Sequence, residues 1–196
     1  MKTYGFWFWF PILLAGGCAL PGIRVDVVSE RTTLENQVLG SYNSLADEVL
    51  LVASVRGVDP LGRIQTPPRV SREKQDAIEA MQVVAFHEDD IESFKELGWV
   101  GEDNQGFLAP FPMSRERVPG DLGDFSDRYT EEEFKSVLDQ VNEARDRIMR
   151  RVLEVNPALT ADDLPGVRGI FAKINRDNAA SGQRIQNEDG SWVLKP

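Results

Sequence analysis

The sequence predicts a mostly α-helical domain of about four to five amphipathic helices, with a small C-terminal β-hairpin and one short N-terminal strand. Three observations predict it. Apolar residues recur at steps of three and four through four long segments. Thr32 with Glu35, and Thr130 with Glu133, have the spacing of reciprocal helix caps. Period-two alternation is confined to residues 23–28 and to the two short runs flanking "NEDG" at 187–190.

The elements follow in order. Lys2 is the only charge before an uncharged apolar run, "YGFWFWFPILLAGG", which ends in the small residues Ala15, Gly16 and Gly17. That order is an export signal over 1–17, set aside from the fold. The apolar stretch from Tyr4 to Leu20 is interrupted by Pro11 and is shorter than the ~20 residues a spanning helix needs. The only cysteine, Cys18, stands directly after Gly17. A lone cysteine makes no intramolecular disulfide and shares no metal with a second thiol. Leu14, Ala15, Gly16, Gly17 and Cys18 together resemble a bacterial lipoprotein signal, in which the cysteine after the cut is lipidated. The resemblance implies two or three acyl chains on Cys18, where a single chain would be only a marginal anchor. With Ala19 rather than an acidic residue next, it also implies the periplasmic face of an outer membrane.

"IRVDVV" (23–28) reads as the strand. Leu34, Val38, Tyr42, Leu45, Val49 and Val52 then form one stripe, a long helix from 33 to about 55 that Gly57 stops. "DPLGRIQTPPRV" is a Pro/Gly-rich linker, so residues 18–70 form an arm ahead of a helical domain over 71–196. Ser71 caps the next helix, which breaks around "HEDD"; Asp89 or Asp90 restarts a shorter one that runs to Gly98. Residues 98–129 show no sustained period, yet they hold Trp99, Phe107, Leu108, Phe111, Met113 and Phe125. A stretch this long is functional or disordered, and its aromatic content predicts order. Residues 98–113 are expected across the third long helix, 130–155, and the last one, which Thr160 and Asp163 open. The closing residues form the hairpin.

The chain carries 22 basic and 32 acidic side chains, a net charge of −10. Such a balance argues against nucleic-acid binding and against charge-driven adhesion to anionic lipid. His87 is the only histidine, which removes multi-histidine zinc sites and cysteine–histidine catalysis. No G-x-S-x-G elbow accompanies it. The acidic run 121–133 fails as a calcium loop, because Ser126 stands where glycine is needed and Phe125 where a ligand is needed. No metal and no cofactor is therefore expected. Many carboxylates are present, but none is singled out as a glycosidase pair.

"GWVGEDNQGFLAP" (98–110), "VNEARDRIMRRV" (141–152) and the closing "DGSWVLKP" share their order with one set of proteins. Over roughly 75–196 the chain resembles the YdbL-like family of bacterial cell-envelope proteins. Gly98, Val100, Gly101, Glu102, Gly106, Phe107, Leu108, Asn142, Arg145 and Trp192 carry the resemblance. It implies a non-enzymatic accessory beside a large AsmA-like protein and a small lipoprotein, assisting phospholipid transport to the outer membrane. Physically, the three glycines supply positive φ or close backbone approach at a helix exit. Val100 and Leu108 pack on the helices. Glu102 accepts from loop amides or pairs with Arg145, either to fasten the loop or to dock a partner. The reading from a different class is an envelope hydrolase or glycan-binding protein acting on peptidoglycan.

Overall fold

The computed structural model describes residues 32–54, 71–116 and 118–196. Cys18, the signal segment, the strand expected at 23–28 and the linker lie outside the described residues. Six α-helices and four short strands are present among those described. Thr32 Oγ1 accepts from Glu35 N at 3.2 Å and opens α1 (Thr33–Ser54). Val38 and Leu45, seven apart, are buried. They meet Ala77, Met149, Val152 and Val167, so α1 shares a core with the later helices. Residues 31–196 form one compact unit. The first long helix therefore belongs to the helical domain, where the sequence grouped it with the arm.

Ser71 Oγ accepts from Lys74 N at 3.3 Å at the head of α2 (Arg72–Phe86). The helix breaks at His87, and α3 (Glu88–Glu96) begins at once, with Glu88, Asp89 and Asp90 in its first turn. Acids there suit the positive helix end. Gly98, at φ 69°, ends α3. Its N–H donates to Lys95 O at 3.0 Å, and Trp99 N–H donates to Phe94 O at 2.9 Å. These two bonds are a Schellman cap, and the apolar contact that accompanies it is Phe94 stacked on Trp99 at 5.9 Å.

The segment without sustained period is ordered. It contributes β1 (Val100–Glu102), β2 (Leu108–Pro110) and the short α4 (Gly123–Arg128). None of the three was anticipated, because runs of three to six residues are shorter than any window in which periodicity shows. Thr130 and Glu133 cap each other reciprocally at the start of α5 (Glu131–Val155), which stops ahead of Pro157. A 3₁₀ turn (Ala161–Asp163) leads into α6 (Leu164–Asn178). The C-terminal hairpin is β3 (Arg184–Gln186) and β4 (Trp192–Leu194).

The hairpin does not stand alone. The sheet order is β2-β1-β3-β4, antiparallel within each hairpin and parallel where β1 meets β3. Period two puts Val100, Glu102, Leu108 and Ile185 on one face, and all four are buried. Gly101, Ala109, Arg184 and Leu194 share the other face. Against the inner face lies an aromatic core of Phe94, Trp99 and Phe134. Phe134 meets Phe94 edge-on at 4.9 Å and Trp99 edge-on at 6.1 Å. Among the described residues no helix is long and apolar enough to cross a membrane.

Candidate functional site

The residues singled out between 98 and 108 converge on α5 through two clamps. The first is polar and neutral. Asn142 Oδ1 accepts from Leu108 N at 2.8 Å, and Asn142 Nδ2 donates to Leu108 O at 2.9 Å. The side-chain amide thereby takes the place of a neighbouring strand. Pro110, two residues on, has no N–H. The β2 edge of the sheet is sealed by these two residues, which removes a template for unwanted strand pairing.

The second clamp is charged. Glu102 is 2% exposed. Arg145, 43 residues later on α5, donates to it with both terminal nitrogens, Nη1 to Oε2 at 2.6 Å and Nη2 to Oε1 at 3.1 Å. Lys95 Nζ lies 2.9 Å from Glu102 Oε1 and 2.8 Å from Glu92 Oε1. Gln183 Nε2 donates to the other oxygen of Glu92 at 3.0 Å. Burial pushes the Glu102 carboxyl up, but Arg145 and then Lys95 outweigh it and hold the group below its ordinary value of 4.5. Glu92 behaves alike: burial raises it, while Lys95 and Gln183 bring it below 4.5. A doubly paired carboxylate held in its ionised form fastens elements together and is poorly suited to exchanging protons.

The glycines have separate reasons. A Cβ at Gly101 would lie 2.6 Å from the Trp192 ring and 2.9 Å from Arg184 O, so β1 and β3 approach as they do because residue 101 has none. Gly106, at φ 83°, would place a Cβ 3.1 Å from Phe171 and 3.3 Å from the α6 backbone. Its carbonyl accepts from Arg145 Nη1 at 3.2 Å and Asn175 Nδ2 at 3.3 Å. The β1–β2 turn is thus held down on α5 and α6 together. Phe107, half-buried, lies under the Arg168 guanidinium at 5.3 Å.

Trp192 sits across Gly101 and meets Phe111 edge-on at 4.9 Å. Arg184 lies 4.5 Å above the same Phe111 ring and donates from Nε to Gly98 O at 3.2 Å. Val193 and Leu194 remain exposed, Leu194 at 62%. Arg184, Phe111, Trp192 and Leu194 make one aromatic, cationic and apolar patch on the sheet face that carries Gly101.

Sequence reasoning missed Lys95, Glu92, Gln183 and Arg184, and it named Phe111 only for its aromatic content. Lys95 left a signal. It follows Ile91 and Phe94 at helical spacing, and a lysine on the buried stripe of a short helix needs a carboxylate. Arg184 left none, because its role depends on a strand 83 positions earlier. His87 is buried beside Asp90, with Nδ1 3.7 Å from the carboxylate. It lies apart from both clamps. Ser126 in the acidic run is buried and donates to Gly123 O at 2.9 Å within α4. Among the described residues no group of three or more His, Cys, Asp or Glu is placed to hold a metal ion. No family model, curated protein or solved structure matches this chain.

Proposed function

We propose that the protein is a lipid-anchored, non-enzymatic accessory of the bacterial cell envelope, tethered through Cys18 to the periplasmic face of the outer membrane. It works by presenting a surface to a partner. On the resemblance to the YdbL-like family, that partner is an AsmA-like protein of phospholipid transport. One observation carries the accessory reading. The most deeply buried carboxylate among the described residues, Glu102, is doubly paired with Arg145 and Lys95 and fastens β1 to α5 and α3.

That surface is the patch of Arg184, Phe111, Trp192 and Leu194. Tryptophan and arginine are the residue types most enriched where binding energy concentrates. Among the described residues no side chain takes the place of a strand at the β4 edge next to it, as Asn142 does at β2.

Two experiments test the reading. A photo-cross-linking residue at Leu194, in cells, should form one discrete adduct with an envelope protein, and Trp192→Ala should abolish it. Cys18→Ser should leave the chain unprocessed or free of the membrane. Hydrolysis of purified peptidoglycan by the protein, or unchanged mass and membrane fractionation of Cys18→Ser, would overturn the corresponding half of the proposal.

A further inference from the structure

The two edges of the sheet differ. Asn142 and Pro110 close the β2 edge. Along β4, Val193 is 39% and Leu194 62% exposed, side by side. The other large apolar side chains exposed among the described residues, Phe86 and Val155, stand singly at the ends of α2 and α5. Adjacent apolar side chains left in water on an uncovered edge strand mark a place where another strand pairs.

The hydrogen bonds of β4 fix which of its groups are free. Ser191 O accepts from Asn187 N at 2.8 Å, and Lys195 N donates to Gln183 O at 2.9 Å. Both residues therefore turn their backbone toward β3. So does Val193 between them, because antiparallel pairs alternate. The N–H and C=O of Trp192 and Leu194 point to the uncovered edge.

We propose that this edge pairs with β4 of a second copy, antiparallel, about a two-fold axis at Val193. Within β4, an axis at Trp192, Val193 or Leu194 opposes outward groups to outward groups. Centred on Trp192, it sets Leu194 against Gly190 and Val193 against Ser191. Centred on Leu194, it sets Trp192 against Pro196, which has no N–H, and Val193 against Lys195. Centred on Val193, Trp192 and Leu194 exchange bonds with Leu194 and Trp192 of the other copy, and Val193 meets Val193. Every facing pair in β4 is then apolar. The same register brings the Lys195 end of each strand beside the exposed acidic turn, Glu188 and Asp189, of the other. Lys195 Nζ, which donates to Asp177 O at 2.6 Å, has further N–H donors for that turn. The pairing is closed and self-complementary, as a two-fold contact must be. Edge pairing leaves the face of Arg184 and Phe111 uncovered for the proposed envelope partner, so the two readings fail separately.

Val193→Cys in the full chain tests it. Residues facing each other at this axis form a non-hydrogen-bonded pair, close enough for a disulfide. After mild oxidation with diamide, Val193→Cys should yield about fivefold more covalent dimer than Ser191→Cys, whose cysteine faces Lys195 of the other copy, or than the unmodified chain with Cys18 alone. Adding Leu194→Pro removes an edge N–H while sparing the bonds to β3, and it should lower the yield to the Ser191→Cys level. Sedimentation needs no added cysteine. The mass of the unmodified chain in mild detergent should rise from one chain toward two with concentration. Val193→Lys, which sets like charges against each other, should hold it at one while the circular dichroism melt stays cooperative. Equal yields from Val193→Cys and Ser191→Cys, a yield that Leu194→Pro leaves unchanged, or a mass of one chain at every concentration would overturn the pairing. If the Leu194 cross-link to an envelope protein persists in that case, the edge serves that partner, and only the pairing of copies falls.

Discussion

Two sets of ion pairs in this molecule use the same residue types to different ends. Along the outside of α5, Lys135 pairs with Asp139 at 2.7 Å, Glu143 with Arg147 at 3.5 Å and Asp146 with Arg150 at 2.6 Å, all at i,i+4. Lys135 and Asp139 are 75% and 65% exposed. The first two pairs join one turn of the helix to the next, in water, where attraction is weak and salt screens it, while Asp146 also takes a bond from Arg168 of α6 at 2.9 Å. On the inside of the same helix, Arg145 reaches Glu102 on a strand, and Glu102 brings in Lys95 from another helix. Three elements depend on that one carboxylate. The difference teaches that an ion pair here matters by what it joins and how dry it is. Buried pairs also oppose their own desolvation, so the inner cluster fixes an arrangement more than it adds net stability.

The sharpest way to break the comparison is at Glu102. Glu102→Ala leaves Arg145 and Lys95 buried without their shared partner, and it should cost about 3–5 kcal/mol, as removal of one member of a buried pair does. Denaturant unfolding would measure it, and a loss below ~1 kcal/mol would place the cluster with the outer pairs. Acid titration sharpens the same point. The folded carboxyl lies below its ordinary value of 4.5. Its contribution is therefore complete above 4.5 and is lost as pH falls through the folded value. Glu102→Gln should flatten that part of the stability–pH curve, and an unchanged slope would show that other carboxylates set it.

Asn142→Ala should come next, at about 1–3 kcal/mol, since it leaves the buried amide and carbonyl of Leu108 unpartnered. Hydrogen exchange at Leu108 should accelerate with it; unchanged protection would mean that the edge is sealed by something else. Thr130→Ala should cost about 1 kcal/mol through the lost cap of α5, with β1 and β2 undisturbed. Smallest of all, Lys135→Ala should change stability by less than ~0.5 kcal/mol, and added salt should erase the difference. A larger effect there would remove the distinction between the two sets.

Much of the helical scaffold was legible because its causes are local. Thr130 and Glu133 lie within one turn of each other, and the stripe from Phe134 to Val152 repeats at the helical period. Gly98 was legible as a helix exit, since a positive φ there follows from ending α3. Glu102 with Arg145 was legible only as one of two roles, because neither spacing nor periodicity says what lies across a gap of 43 residues. Of the four-stranded sheet, the β3–β4 hairpin was legible, while β1, β2 and the joining of the two hairpins were not. β1 and β2 stand in a stretch with no sustained period, and the parallel pairing of Gly101 with Arg184 brings together segments that share no local signal.

By itself, then, the sequence determined the helices other than α4, their caps and breaks, the C-terminal hairpin and the acidic balance, all set by composition or by interactions between residues within about two helical turns. Only the tertiary structure decided that α1 joins the core, that β1 and β3 meet over Gly101, and that Lys95 and Arg145 converge on Glu102. Those outcomes depend on shape and on exclusion of water between distant segments. An isolated stretch of sequence contains neither.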